Sequence, residues 1–311
     1  MRRLFSVLSC IALLSSCEGQ VLSPEKDSGV DYGVVFPAIY DCPRWHPSGE
    51  WISFHNYGIT ALDTIRDGPQ VFIQQRWDGD IDGIWVIDAD GHDPHLVIEN
   101  GWEHDWSPDG NRITFNRGYR TRLYIADADG ANEEMIDPRM RNLDPSWSDD
   151  GAWIARTFFE SDGSGYFLIV SSVLTMEELR FNYLCTSKDW IGTRIFFTHN
   201  GIKSIDINTR VVTTVIDDAE LSCESVQVSP DGSRVVFRGG ERLYIADIDG
   251  SDRRVLSPSG GAQPAWSPDC SKIVYVKKLP GNPYDSRNNV LWVIDVETGE
   301  ERQLTASPVF D

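Results

Sequence analysis

Asp78, Asp80 and Asp82, followed at once by Gly83, copy the first half of a calcium-binding loop, with carboxylates on alternate residues and a glycine for the sharp turn. The second half departs from that pattern. Twelve-residue counting from Asp78 reaches Ala89, where a bidentate glutamate belongs, and the ninth position is Val86. Three carboxylates in five residues can hold a hard cation such as calcium if other loops complete the shell; otherwise they form a solvated acidic turn. The six histidines are His46, His55, His92, His95, His104 and His199, and no HExxH helix motif joins any of them. His46 and His104 are expected on inner strands of adjacent repeats, where they could approach each other, although unligated strand histidines are the simpler reading. No G-x-S-x-G elbow is present. Glu103, Asp105, Asp144 and Asp189 stand just ahead of a recurring turn, with Arg44 and Lys188 as counter-charges. Ringing a water-filled mouth, these carboxylates would focus negative potential on an incoming peptide or cation. The alternative is that they line solvent or bond the backbone of adjacent loops. They are the candidate partner-binding residues, and no catalytic residue is assigned.

The elements that must position these groups are written in a repeat. The word Trp-Ser-Pro-Asp-Gly at 106–110 returns in altered form at 45–49, 147–151, 228–232 and 266–270. Its turn glycines are Gly49, Gly110, Gly151, Gly192 and Gly232, with Cys270 in the sixth place, a period near 40 residues. Proline presets φ for the turn and glycine accepts positive φ. Alternating strands follow, such as RITFN (112–116), RVVFR (234–238) and KIVYV (272–276), then strands ending in acidic turns such as RLYIADADG (122–130). Four short antiparallel strands repeated six times predict an all-β, six-bladed propeller. A lone four-stranded sheet cannot bury both faces, whereas a closed ring of such sheets buries all of them. Trp45, Trp106, Trp147, Trp190 and Trp266, each before a turn, are expected to pack between blades. Residues 55–83 read as the longest loop, inside blade one. Cys185 and Cys223 fall at equivalent places in adjacent blades, which predicts a disulfide between them, with Cys42 and Cys270 reduced.

The chain has 28 Lys and Arg against 48 Asp and Glu, a formal charge of −20 with no basic stripe, which argues against a nucleic-acid role. At the N-terminus, Arg2 and Arg3 precede an apolar run from Leu4 to Leu14, too short to span a bilayer and laid out as a secretory signal. Leu14-Ser15-Ser16-Cys17 resembles the lipobox of bacterial lipoproteins. That resemblance implies cleavage before Cys17, acylation of its thiol, and membrane attachment through lipid alone. Glu18, where inner-membrane lipoproteins carry Asp, implies the outer membrane, facing the periplasm. The expected organisation is a signal peptide at 1–16, a tether at 17–39 and the propeller at 40–311, with 31–39 an added ring-closing strand or part of the tether.

WSPDG running into an apolar strand, then LYIADADG, resembles the repeats of the TolB-like family, also described as WD40-like PD40 repeats. The resemblance covers about residues 40–311 and is closest in the repeats turning at Gly110, Gly232 and Cys270. Blade four departs from it, reaching Gly192 two residues early, and blade three lacks the DADG ending. The family's namesake carries a separate α/β domain ahead of its propeller, whereas about two dozen residues, read as a tether, are expected between Cys17 and the first repeat. The resemblance implies a monomeric, non-enzymatic module that binds another envelope protein or peptide and needs no cofactor. Similar propellers also include metal-dependent polysaccharide lyases, an alternative that would require His46, His104 and Asp80 to converge on a metal such as manganese or calcium.

Overall fold

The computed structural model describes residues 40–67, 70–118, 121–159, 166–175, 177–183, 185, 187–218, 221–278 and 289–305. The expected signal, the tether with Cys17, and the segment 31–39 lie outside the described residues. What is described is six four-stranded sheets, each with its strands paired antiparallel in chain order. The blades span Tyr40–Glu99, Gly101–Asp137, Asn142–Phe181, Lys188–Ile216, Cys223–Ser257 and Ala262–Gln303. Each blade's first strand lies against the first strand of the blades before and after it, and Tyr40–Trp45 lies against Ala262–Trp266, so the ring is closed. The six-bladed β-propeller expected from the period is the observed fold.

The recurring word forms the hairpin after each inner strand. In blade two, Ser107 Oγ donates to Asp109 Oδ1 (2.6 Å), and the backbone N–H groups of Arg112 and Asn111 return to Ser107 Oγ (2.9 Å) and Asp109 Oδ1 (3.0 Å). Gly110 completes the turn with φ +70°. The same Ser–Asp pairing recurs at Ser148–Asp150, Ser229–Asp231 and Ser267–Asp269. The hydrogen bond from the serine hydroxyl holds Asp109 and Asp231 down to about 2. Each aspartate of the word is therefore committed to its own turn.

Six apolar clusters fill the six blade-to-blade interfaces. Trp106 packs with Ile84, Val86 and Ile98 of blade one; Trp147 with Leu123 and Ile125 of blade two; Trp190 with Leu168 and Val170 of blade three; Trp266 with Leu243 and Ile245 of blade five. Trp45 packs beside Val274 and Leu291, closing the ring between blades six and one. All five tryptophans are thus the interblade residues they were expected to be, each worth about 3–5 kcal/mol against truncation to alanine. The glycines of the acidic turns permit the same approach at the periphery. A Cβ on Gly130 (φ +83°) would lie 2.2 Å from Val97 O of the preceding blade, and one on Gly250 (φ +87°) 2.1 Å from Val215 O. D-x-D-G recurs because the neighbouring backbone leaves no room for a side chain.

Two expectations are corrected. Residues 55–83 are not a loop. Two strands, Trp51–Asp67 and Gln70–Asp88, pair with each other from Trp51↔Asp88 out to Asp67↔Gln70. The first strand's ladder with this hairpin ends at Tyr40↔Asn56, and the fourth strand's at Gly83↔Glu99, so the hairpin runs on beyond the blade as a two-stranded arm. Cys185 and Cys223 are not bridged either; both are free and buried. Cys185 packs in the cluster between blades three and four, and Cys223 in the one between blades four and five. Equivalent height in adjacent blades puts them on opposite sides of blade four, so no disulfide can join them without moving the sheet. Cys42 and Cys270 are also free thiols.

Candidate functional site

The site is built from the inner strands and one irregularity in them. Five of the six carry a register shift against the second strand, as between Asp41 and Arg44 or between Leu143 and Ser146. Such a bulge twists the strand and leaves one residue out of the ladder. Cys42, Asp144, Ser225 and Gln263 occupy the equivalent place at φ of 49–53°. Their backbone N–H groups are turned from their own sheet and need acceptors from elsewhere.

Side chains of the preceding blade supply them at Cys42 and Asp144. Gln263 Oε1 of blade six accepts from Cys42 N of blade one (2.9 Å), and Glu103 Oε2 of blade two from Asp144 N of blade three (2.6 Å). Two residues along, Asp105 Oδ2 accepts from Trp147 N (2.8 Å) and Asp189 Oδ2 from Val228 N (2.7 Å). Three of the four carboxylates predicted at the mouth are therefore acceptors in clasps between blades. The fourth, Asp144, accepts from the Nζ of the fully buried Lys188 (3.1 Å).

Arg44 ties the wall together across the axis. From blade one its guanidinium lies 3.9 Å from Asp105 of blade two and 3.7 Å from Asp144 of blade three. Glu103, Asp105, Asp144, Asp189, Arg44 and Lys188 are thus gathered in one wall, as their spacing suggested. Burial raises the carboxyls. Asp189 is pushed up to about 7; Glu103 to about 7, with the Asp144 charge adding to burial; and Asp105 to about 6, against the pull of Arg44. At neutral pH this wall carries less negative charge than its composition implies. The clasps were not visible in the sequence, since each joins residues about 40 positions apart, or 221 across the closure.

The other predicted groups are dispersed. His104 uses both ring nitrogens, Nε2 with Ser53 Oγ (2.7 Å) and Nδ1 with Trp102 O (3.1 Å). Burial, with Arg44 nearby, lowers it to about 3, so it is neutral: Nδ1–H donates to the carbonyl and Ser53 donates to Nε2. Ser53 Oγ also accepts from Trp106 Nε1 (2.8 Å). His46 sits at the turn face, bonded to Ser48 Oγ (2.8 Å) and to Gly110 O (3.0 Å), edge-on to Trp106. Asp82 is buried and holds His55 Nε2 at 3.0 Å, while Asp80 is exposed. The side chain of Asp78 lies outside the described residues. Among the described residues no three His, Cys, Asp or Glu side chains stand where they could share a metal ion, and His46, His104 and Asp80 are not brought together.

A cleft of about 530 Å³, which no sequence motif announced, opens between blades five and six at the end where the inner strands begin. Asp41, Ser225 and Gln263, at the start of three inner strands, reach into its lining, so the cleft is continuous with the channel mouth.

Repeat word, four-stranded blades and ring together define a six-bladed β-propeller that is similar to TolB. No family profile matches the chain. The Tol-Pal system protein TolB of Methylococcus capsulatus is 33% identical to it over 85 residues, 27% of this chain and 18% of that protein. The match thus spans less than a fifth of that relative's length. In structure the chain is similar to TolB from Acinetobacter baumannii, with a TM-score of 0.63 at 19% identity over 75% of this chain and 62% of that one. It is also similar to an oligogalacturonate lyase in complex with manganese, with a TM-score of 0.57 at 15% identity over 86% and 78% of the two chains. At these identities the structural likenesses establish the fold.

Proposed function

We propose that this chain is a non-enzymatic binding module of the bacterial cell envelope, attached to the outer membrane through a lipidated Cys17, that docks another envelope protein at its channel mouth. The observation that carries the reading is the clasped wall. Its carboxylates are acceptors for backbone of the next blade or partners of Arg44 and Lys188, which makes the ring a rigid frame around a concave mouth. Rigid frames with recognition in the loops at one end suit binding without chemistry. Local identity to a Tol-Pal system protein supports the envelope setting. Glu103, Asp105, Asp144 and Asp189 form the floor of the mouth, and the partner's contact with that floor is part of the proposal.

Affinity capture from envelope extracts tests it, comparing wild type with Glu103→Gln, Asp105→Asn, Asp144→Asn and Asp189→Asn variants, each verified by circular dichroism to be folded under the capture conditions. Loss of a specific partner supports docking over the floor; an unchanged captured set removes the floor from the binding surface. The metal-dependent lyase alternative retains the fold likeness. Stoichiometric manganese or calcium in the purified protein, lost on changing His46, His104 or Asp80, would favour it instead.

A further inference from the structure

Cations and acids mix at the mouth, and two of the cations there are left without a partner among the described residues. The cleft between blades five and six is flanked by Arg238 and Arg242 on the blade-five side and by Lys277 and Lys278 on the blade-six side. In a chain with 28 cationic and 48 acidic side chains, four cations from two blades converge on this one cleft, against the three acids Asp41, Glu224 and Glu241 in its lining. Lys277 is fixed in the wall: its Nζ donates to Glu301 (2.8 Å) and Ser259 (2.6 Å) and lies 4.2 Å from the centre of the Trp292 ring. Arg238 pairs with Glu224 (3.0 Å) and Glu241 (3.4 Å), whose side chains are 52% and 87% exposed. Exposed pairs of this kind are worth about 0–1 kcal/mol and exchange readily for a ligand carboxylate. Arg242 and Lys278 are exposed and have no hydrogen-bond or ion-pair partner among the described residues. The axial cations Arg44 and Lys188, by contrast, are taken by Asp105 and Asp144.

We propose that this cleft receives an acidic, extended segment of the partner protein, whose carboxylates are held by Arg242 and Lys278 and by Arg238 released from its surface pairs. The inference rests on the reading that the mouth docks a protein, and adds the chemistry of the docked segment. A cleft of about 530 Å³ falls in the size range of ligand pockets and takes a few residues of extended chain. Gly260, Gly261 and Ser225 line it with little side-chain bulk, so an extended backbone can lie close. The rest of a chain of net charge −20 repels an acidic segment, which confines binding to the place where the cations stand.

The test is fluorescence anisotropy of the mature protein with a labelled hexaglutamate peptide, a labelled hexalysine peptide, and trigalacturonate as competitor. Hexaglutamate is expected to bind, to lose about tenfold or more in affinity to the Arg242→Glu, Lys278→Glu double variant, and to weaken as salt rises. Arg242→Gln, which is milder, should lose part of that. Both positions are exposed, so an unchanged melting temperature verifies the fold. Equal hexaglutamate affinity for wild type and double variant, or no hexaglutamate binding, overturns the proposal. So does hexalysine binding that disappears in a Glu224→Gln, Glu241→Gln variant, and so does displacement of hexaglutamate by equimolar trigalacturonate, which would make the ligand a uronate. If hexaglutamate fails while partner capture still responds to changes at the mouth, the acidic-segment inference falls and protein docking stands.

Discussion

Asp189 offers the sharpest perturbation of the clasped wall. Its Oδ2 accepts from Val228 N of the next blade (2.7 Å) and its Oδ1 from Trp190 N (2.9 Å). Burial, its largest cause, raises the carboxyl from 3.8 to about 7. The sign follows from linkage. A carboxyl whose folded value lies above its unfolded one gives stability that is full below about 4 and is lost as pH rises through about 7. At about 1.4 kcal/mol per tenfold change in proton affinity, that loss is on the order of 4 kcal/mol as an upper bound. Asp189→Asn removes the charge and keeps one acceptor, so one of the two N–H donors goes unpaired at a cost of about 1 kcal/mol. Near pH 4 the Asn variant should therefore be less stable than wild type by about that amount. By pH 8 it should be more stable, by on the order of 2 kcal/mol, because wild type has by then deprotonated a buried group. Equilibrium urea titrations at pH 4, 6 and 8 read the crossing directly. Parallel stability curves that never cross, or an Asn variant no more stable than wild type at pH 8, would refute the argument that burial dominates this carboxyl.

Further outcomes follow from the same geometry. Gly130→Ala puts a Cβ 2.2 Å from Val97 O at φ +83° and should lower stability by about 2–3 kcal/mol in thermal melts, against a smaller loss of about 1 kcal/mol for Gly118→Ala, which shares the positive φ (+74°) but has nothing within 4 Å. Gln263→Ala removes the acceptor for Cys42 N at the ring closure, costing about 1–3 kcal/mol and speeding amide exchange at Cys42 ahead of other inner strands. Non-reducing peptide mapping should recover Cys185 and Cys223 as separate thiol peptides, and reductant should leave the melting temperature unchanged.

How much of this was legible in the sequence depends on what each feature needs. The hairpins were, because Ser107, Asp109 and Gly110 build the turn from neighbours within five residues and the word repeats. The interblade tryptophans were too, since each follows from the period. The arm was misread: Asp67-Gly68-Pro69 carries a turn signal between two strand-like runs, but the acids around Asp78–Asp82 suggested a loop. The gathering of Glu103, Asp105, Asp144 and Asp189 was legible because each falls on an inner strand just ahead of its turn. Their use as clasps was not, because it depends on inner-strand N–H groups that face the preceding blade, one of them turned there by the bulge at Asp144. The side of a sheet on which a residue falls was equally hidden, and that is why Cys185 and Cys223 looked like partners.

Hydrogen exchange of the protein with and without a partner captured from envelope extracts tests the central claim most directly. Docking at the mouth predicts added protection in the segments around 223–225, 239–242 and 258–263, with the turn face around 107–111 and 229–233 unchanged. Protection at the turn face, with the mouth segments exchanging as in the free protein, would contradict it.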